Sequence, residues 1–251
     1  GDRRTRFLYV GLLVGAFVWL SFINLDDPGL QEYIVHQSTG GPPGGSCDSS
    51  SNVSKPRFYH DLEFVDMDGD GFLDIATVRS SFKVAGYGSI CFFTGELVWF
   101  RNPGAALSPT VEWDEHMLVG YPVTGTGPDI SIESYDFEND GIPELIGGSF
   151  FMSGGFVRVY GAPAGLPWTA VDQVNGPVVR VGNIAAGAQG KVFDIQVADL
   201  NLDGKVEVLA SNHQPDNCFA VTQDAIPGRI NAYEQPVSGN IFGGGWVRRT
   251  L

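Results

Sequence analysis

A nine-residue acidic segment occurs three times in this chain, and it constrains the fold more than any other feature of the sequence. The three copies begin 70 and 63 residues apart and read DMDGDGFLD, DFENDGIPE and DLNLDGKVE. Each has an acid at positions one, five and nine, an oxygen-bearing side chain at position three and glycine at position six. Self-similarity over a long period is typical of repeat proteins, so the chain is predicted to consist of similar units.

Short apolar segments around each acidic loop predict strands rather than helices. In the middle unit these segments lie near residues 130–135, 145–151, 155–160 and 168–171. The chain contains 34 glycines and 15 prolines, and only 18% of its residues are charged, which favours short strands joined by many turns over a coiled coil. Four strands per unit predict an all-β fold, a β-propeller of four-stranded blades, with a solenoid as the alternative.

The repeat boundaries predict how the chain is divided. Residues 57–122, 123–187 and 188–251 are each predicted to form a blade, and residues 1–37 an incomplete first blade that lacks its first strand. Residues 38–56 are rich in Ser, Gly and Pro and are predicted to be an exposed insertion. About three and a half blades are therefore present. Because an open ring leaves strand edges unpaired, further blades or a second chain are expected to complete a larger propeller.

The apolar segment at residues 7–24 allows two interpretations. It reads FLYVGLLVGAFVWLSFIN and follows three arginines, a pattern typical of a signal peptide or membrane anchor. However, GAFVWL within it matches GELVWF, GFVRVY and GRINAY, which follow the acidic loops in the three units. Strands are therefore predicted here and no membrane span is favoured, with a membrane-anchored ectodomain as the alternative.

The acidic loops have the side chains that a calcium ion requires. Ca²⁺ takes six to eight oxygen ligands, and alternate side chains of a tight loop, the carbonyl of position seven and a closing acid can supply them. The predicted ligands are Asp66, Asp68, Asp70, the carbonyl of Phe72 and Asp74; Asp136, Glu138, Asp140, the carbonyl of Ile142 and Glu144; and Asp199, Asn201, Asp203, the carbonyl of Lys205 and Glu207. Two or three Ca²⁺ ions are expected, and Mg²⁺ suits such loops less well because it retains its waters.

Two other interpretations of these loops are disfavoured. In the helical calcium loop the closing acid is at position twelve and helices flank the loop, whereas here it is at position nine and the flanks are strand-like. Plain Asp–Gly turns, in which the carboxylates accept hydrogen bonds from their own backbone, are the simplest alternative. Three or four acids in each loop argue against it, because carboxylates this close repel one another without a cation.

The acidic loops, the segment VWFRNPG at 98–104 and the strand with Trp113 and His116 together resemble FG-GAP/VCBS repeats over nearly the whole chain. The resemblance implies a β-propeller with Ca²⁺ bound between the first two strands of a blade, as in integrin α-subunit heads and some fungal lectins. It also implies a secreted or cell-surface scaffold that binds a protein or glycan on its inter-blade loops. The degenerate loop at the start of the chain, with Arg3 and Arg6 at ligand positions, is not expected to bind metal.

Charge and chemistry narrow the function further. The chain has 29 acidic and 15 basic residues and a formal charge of −14, so nucleic acid is excluded as a partner. Its four histidines have no metal-site spacing and no Gly-x-Ser-x-Gly motif occurs, so no catalytic residues are predicted. The alternative is the propeller portion of a larger secreted sugar-modifying enzyme, such as a lyase or dehydratase. Asn52 is a candidate glycosylation site, and Cys47, Cys91 and Cys218 allow one disulfide of unassigned pairing.

Overall fold

The computed structural model describes residues 7–14, 17–24, 32–39, 57–84, 90–120, 127–150, 155–185, 191–213 and 228–251. Within these ranges the chain is all-β, with fifteen strands in four antiparallel sheets. The helical residues described are two single 3-10 turns, at Gly104–Ala106 and Trp168–Ala170. The predicted all-β class is therefore confirmed.

The strands group into sheets in chain order. Sheet I contains β1 (Phe7–Val14), β2 (Phe17–Asn24) and β3 (Glu32–Thr39). Sheet II contains β4 (Arg57–Val65), β5 (Asp74–Val84), β6 (Ile90–Arg101) and β7 (Asp114–Val119). Sheet III contains β8 (Ser131–Tyr135), β9 (Glu144–Ser149), β10 (Phe156–Gly161) and β11 (Arg180–Ala185). Sheet IV contains β12 (Lys191–Ala198), β13 (Glu207–His213), β14 (Arg229–Glu234) and β15 (Val247–Thr250).

Every sheet is a meander in which strands adjacent in sequence pair with each other. The apolar segment near the start of the chain forms the hairpin β1–β2, with Phe7 opposite Asn24 and Val14 opposite Phe17. The prediction of strands in this segment is thus confirmed. In the described part of the chain, no helix combines the length and hydrophobicity needed to cross a membrane.

One predicted strand of the middle unit is wrong. Residues 168–171 were expected to close that unit, but Trp168–Ala170 is a 3-10 turn and the closing strand is β11. Pro167 precedes this turn, and the buried Trp168 indole donates from Nε1 to the carbonyl of Pro143 at 2.9 Å. The tryptophan anchors the connection between β10 and β11 in the core. In sheet II the corresponding Trp113 does stand directly before the closing strand β7.

Three apolar clusters hold the sheets together face to face. Sheet I meets sheet II through a cluster that includes Leu20, Val35 and Phe100. Sheet II meets sheet III, and sheet III meets sheet IV, through two larger clusters, which between them bury Trp99, Trp168, Tyr160, Ile146, Val157, Ile195 and Tyr233. At the first strands, β8 of sheet III lies beside both β4 and β12.

The three acidic loops occupy equivalent places in this fold. Each connects the first and second strands of its sheet, and its ninth residue is the first residue of the second strand: Asp74, Glu144 or Glu207. The repeated sequence therefore corresponds to a repeated position in three sheets. Asn52, most of the predicted insertion, Cys47, Cys218 and the degenerate loop at residues 1–6 lie outside the described residues, whereas residues 38 and 39 belong to β3.

Candidate metal centre

The three loops share one set of backbone hydrogen bonds. In the first loop, the carboxylate of Asp66 accepts from the backbone N–H groups of Asp70 at 3.1 Å and Gly71 at 2.9 Å. Asp70 in turn accepts from the N–H of Phe72 at 2.9 Å. The equivalent bonds link the first acid to the N–H groups of positions five and six, and the fifth acid to that of position seven, in the loops of Asp136 and Asp199.

The ninth acid of each loop ties the loop to its sheet. Asp74, Glu144 and Glu207 are all buried, and each accepts a hydrogen bond from the backbone N–H of position two at 2.8–2.9 Å. Asp74 also accepts from the N–H of Asn102 at 2.7 Å, which joins the loop to the segment after β6. Buried carboxylates satisfied in this way hold the bend in one conformation.

Positions four and six of every loop have left-handed backbone conformations. Position six is glycine each time, with φ between 83° and 88°. Position four is Gly69 in the first loop, but Asn139 (φ 54°) and Leu202 (φ 59°) in the others. Asn tolerates this conformation, whereas a leucine side chain is strained in it. The first loop is therefore the least strained of the three.

In the first loop three carboxylates converge. Asp66, Asp68 and Asp74 each offer an oxygen, and these oxygens all lie within 4.8 Å of one another; among the described residues this is the only cluster of acids, histidines or cysteines that meets this criterion. The side chain of Asp68 is only 4% exposed, and its Oδ2 is buried and accepts no hydrogen bond. A buried carboxylate oxygen without a donor needs a cation beside it.

Arg101 partly supplies that positive charge. Its Nε lies 2.7 Å from Oδ2 of Asp68, and its NH2 lies 3.6 Å from Oδ2 of Asp70. Because Oδ2 of Asp68 accepts no hydrogen bond, this contact is an ion pair without a well-aimed N–H. The guanidinium is about half exposed, so it sits at the rim of the cluster and leaves the interior of the loop to oxygen atoms.

Burial and crowding of like charges raise the pKa of the ninth acids. The pKa of Asp74 rises to about 6, mainly because the group is buried and further because Asp68 and Asp70 are near. The pKa of Glu144 rises to about 7, again mainly through burial, with Glu138 and Asp140 adding to the shift. A bound cation would oppose both effects, because it favours the charged carboxylate.

The second loop is neutralised differently. Glu138, its predicted third ligand, accepts two bonds from the guanidinium of Arg180, at 2.6 and 3.1 Å. The same guanidinium lies 3.7 Å from Glu144. Arg180 belongs to β11 and also donates to the carbonyl of Ala162. The longer Glu138 side chain is thereby held by an arginine rather than turned toward Asp136.

The third loop has no such arginine among its described contacts. Instead, the amide of Asn201 donates to Oε1 of Glu207 at 3.2 Å, while its carbonyl accepts from the N–H of Asp203 at 2.8 Å. The amide orientation is set by this network, and a cation would favour the reversed orientation of the side chain. The predicted ligands Phe72 and Lys205 are exposed and Ile142 is half-buried, and each donates its N–H to the fifth acid as described.

Sequence reasoning missed a second group of acids, which lies on the first strands. Asp61 on β4 accepts from Oγ of Ser131 and N–H of Ile132 on β8, and Oγ of Ser131 accepts from the N–H of Ile195 on β12. The position three residues before each acidic loop is Glu63, Glu133 or Gln196. The amide of Gln196 donates to Glu133 at 2.7 Å. Aligning the units on their loops would have revealed this row of polar side chains.

The first-strand acids are also perturbed by burial. Burial, with Glu133 and Asp61 as neighbours, raises the pKa of Glu63 to about 7. Burial, with Asp61 and Asp194 as neighbours, raises the pKa of Glu133 to about 7. This row therefore places polar and partly protonated groups where three sheets meet.

The described residues show one arrangement that resembles a catalytic pair. Nε2 of His60 lies 3.0 Å from Oγ of Ser80. Burial lowers the pKa of His60 to about 4, so the imidazole is neutral. Ser80 is completely buried in sheet II, and a substrate has no access to it. His116 stacks on Trp99 with ring centroids 4.4 Å apart, which is a packing role.

Comparison with known proteins does not assign this chain to a family. No protein-family model matches the sequence, and no curated protein matches it. The resemblance to FG-GAP/VCBS repeats therefore stays a prediction from the residues quoted above.

Proposed function

We propose that this chain is a calcium-stabilised β-propeller scaffold of the FG-GAP/VCBS type, which binds a protein or carbohydrate partner and performs no catalysis of its own. The observation that carries the proposal is the first acidic loop. Three acid side chains converge there, and the buried Oδ2 of Asp68 accepts no hydrogen bond and has the half-exposed guanidinium of Arg101 as its counter-charge. The other loops repeat its backbone hydrogen bonds, which supports a common purpose for all three.

Calcium suits the first loop better than other common metals. The donors are carboxylates, with a backbone carbonyl at Phe72, and neither histidine nor cysteine is present. Hard oxygen donors in a flexible loop favour Ca²⁺, whereas Mg²⁺ needs near-ideal octahedral geometry and Zn²⁺ prefers nitrogen and sulfur. The residues that would hold the ion are Asp66, Asp68, Asp70 and Asp74.

The second and third loops are proposed as weaker sites. Calcium in the second loop has to displace Arg180 from Glu138, and calcium in the third requires the Asn201 amide to turn its oxygen inward. In the first loop the ion competes only with the half-exposed guanidinium of Arg101 beside Asp68, and the three carboxylates already converge. We therefore expect one ion at moderate calcium concentration and two or three at saturation.

A radial arrangement of the sheets is the simplest account of their contacts. The first strands β4, β8 and β12 are neighbours, linked through Asp61, Ser131 and the N–H of Ile195. In a propeller the first strands of successive blades surround the axis, and the blades are four-stranded meanders like sheets II to IV. The loops between the sheets then form the surface on which a partner is expected to bind.

An extracellular location is part of the same proposal. Calcium is abundant outside the cell, so even a loop of low calcium affinity is occupied there. The sequon at Asn52 is consistent with secretion. We accordingly place the protein outside the cell or on its surface.

Calorimetric unfolding in calcium and in EDTA tests the proposal. Calcium at one hundred times its dissociation constant should stabilise the fold by about 2.7 kcal/mol per site, which raises Tm by about 5–10 °C. Asp68→Asn should remove most of this gain. Asp172→Asn is the matched control, since Asp172 is an exposed turn carboxylate that accepts N–H bonds from Val174 and Asn175 and lies in none of the three acidic loops. An identical Tm in saturating calcium and in EDTA would falsify the proposal.

A further inference from the structure

The connection between β14 and β15 packs on sheet III beside the second acidic loop. This connection, residues 235–246, is called the docking segment. Its Ile241 is only 2% exposed and belongs to the same apolar cluster as Val159 of β10. A Cβ atom at Gly182 of β11 would lie 2.7 Å from the carbonyl oxygen of Ile241, so the backbone of the docking segment lies directly against β11.

Two contacts join the second acidic loop to the docking segment. The ring of Phe137, at position two of the loop, meets the ring of Trp246 edge-on, with centroids 5.8 Å apart. The guanidinium of Arg180 lies over the ring of Phe242, 4.2 Å from its centroid, and the same guanidinium donates two hydrogen bonds to Glu138. Arg180 therefore contacts the loop through its N–H groups and the docking segment through its planar face.

The hydrogen bonds of Arg180 fix its guanidinium in this place. Nε donates to the carbonyl of Ala162 at 2.6 Å, and the two terminal nitrogens donate to Glu138 at 3.1 and 2.6 Å. A guanidinium held by three bonds supplies a positive charge with a defined position, 3.7 Å from the buried Glu144. The arginine beside the first loop, by contrast, supplies no hydrogen bond to the buried carboxylate oxygen next to it.

We infer that Arg180 is a built-in cation that holds the second loop against the docking segment, so that sheet IV stays docked on sheet III without calcium. The two loops then differ in function: the first depends on calcium, and the second needs calcium only when Arg180 is removed. The surface formed by the second loop and the docking segment is thus ready for a partner at calcium concentrations that leave the first loop empty. This consequence rests on the proposed function, whereas the contacts of Arg180 do not.

Hydrogen exchange of the 251-residue chain, in EDTA and in calcium that saturates the first loop, tests the inference. Peptides that cover residues 66–74 should exchange more slowly in calcium, and peptides that cover 235–246 should exchange equally in both buffers. Slower exchange of 235–246 in calcium, together with protection of 66–74, overturns the inference and leaves the proposed function intact. If 66–74 is not protected, the proposed function fails, and the variants in EDTA decide the role of Arg180.

Two variants test the role of the built-in cation. In EDTA, Arg180→Met should make peptides of 235–246 exchange at least about fivefold faster, because the docking segment loses its link to Glu138. Saturating calcium should restore this protection, because Glu138 is then free to act as a ligand. Glu138→Gln should show the same loss in EDTA without restoration, since it lacks the carboxylate that both cations require. Unchanged exchange in Arg180→Met, or equal restoration in both variants, overturns the inference.

Arg158→Met is the matched control for the loss of an arginine from sheet III. Arg158 lies over the ring of Phe156 at 3.9 Å and donates to Asn183, and these contacts lie outside the second loop and the docking segment. Its exchange at 235–246 should equal that of the parent protein. Loss of protection there in Arg158→Met, or an equal loss throughout sheet II in Arg180→Met, would show general destabilisation and overturn the assignment. Glu138→Gln retains Arg180 and is nearly isosteric, so it tests the link even if Arg180→Met does not fold.

Discussion

The first and second acidic loops have the same backbone hydrogen bonds but different neutralising groups. In both, the first acid accepts from the N–H groups of positions five and six, and the ninth acid from that of position two. In the second loop, Glu138 is fully engaged by Arg180, whereas in the first loop a buried oxygen of Asp68 accepts no hydrogen bond. The shared hydrogen bonds determine the shape of the loop. The carboxylate charge that neither these bonds nor an arginine balances determines whether the loop needs a metal ion.

The largest expected effect comes from removing the ninth acid, which both loops require. Asp74→Ala leaves the N–H groups of Met67 and Asn102 without an acceptor and should destabilise the protein by about 3 kcal/mol in EDTA. Glu144→Ala releases only the N–H of Phe137 and should cost about 2 kcal/mol. Urea unfolding measures both. Equal costs for the two variants would show that the extra bond to Asn102 contributes nothing.

The pH dependence of stability is the next largest effect, and it separates the two loops. A carboxyl group whose pKa is raised in the folded state stabilises the fold fully below its unfolded pKa and loses that contribution as pH rises through its folded pKa. For Glu144 this range runs from 4.5 to about 7, and for Asp74 from 3.8 to about 6. In EDTA, these two groups should therefore contribute about 2 kcal/mol more to the free energy of unfolding at pH 5 than at pH 7.5, with solvent screening allowed for. Glu63 and Glu133 act in the same direction and His60 in the opposite one, so the contribution of the loops is the difference between the parent protein and the variants.

Two variants assign this pH dependence. Glu144→Gln should flatten the curve mostly near pH 7, and Asp74→Asn mostly below pH 6, when urea unfolding is followed at several pH values. Asp172→Asn should leave the slope unchanged. Hydrogen bonds from Val174 and Asn175 lower the pKa of Asp172, so this carboxylate stays charged throughout the pH range measured. A pH curve in EDTA that neither Glu144→Gln nor Asp74→Asn changes would contradict the assignment. In calcium the trend should reverse, because protons compete with the ion for the same oxygens.

Much of the fold follows from the repeat, and the exceptions have physical causes. Alignment of the acidic loops predicts strands at 130–135, 145–151 and 155–160, and β8, β9 and β10 lie within two residues of these limits. It fails at Trp168, because a buried tryptophan marks a contact with the core and need not belong to a strand. A turn from Asp172 to Gly176 follows, so β11 begins later in the sequence than predicted. Alignment of the repeats does not predict such an inserted turn.

The candidate metal centre was only partly predictable for a different reason. Spacing alone predicts that the acids of each set lie together at one bend between two strands, because they are close in sequence, and their role as metal ligands stays a prediction. The arginines that compete with a metal ion come from distant strands: Arg101 ends β6 and Arg180 begins β11. Their contacts depend on how the strands pair, which the repeat pattern does not specify.

Removing the arginines should change calcium binding in opposite ways. Arg101→Met removes a positive charge from the rim of an already converged site and should tighten calcium binding there about fivefold, or by about 1 kcal/mol. Arg180→Met frees Glu138 and should instead increase the number of ions bound, with little change in the tightest dissociation constant. Isothermal titration calorimetry measures both quantities. Weaker binding in Arg101→Met would mean that the guanidinium organises the ligands rather than competing with the ion.

The smallest expected effect concerns position four, where the third loop departs from the first. Leu202 is 87% exposed and has φ 59°, so its side chain makes few contacts that could offset the strain of the left-handed conformation. Leu202→Gly should stabilise the protein by about 0.5–1 kcal/mol, since relief of about 1–2 kcal/mol is partly cancelled by the greater entropy of unfolded glycine. Asn139→Gly should change stability by less, because Asn tolerates this conformation. Thermal unfolding in EDTA measures these differences without a contribution from the ion. If Leu202→Gly is instead destabilising, the Leu202 side chain stabilises the third loop more than its exposure indicates. Strain at position four then does not explain why the carboxylates converge in the first loop.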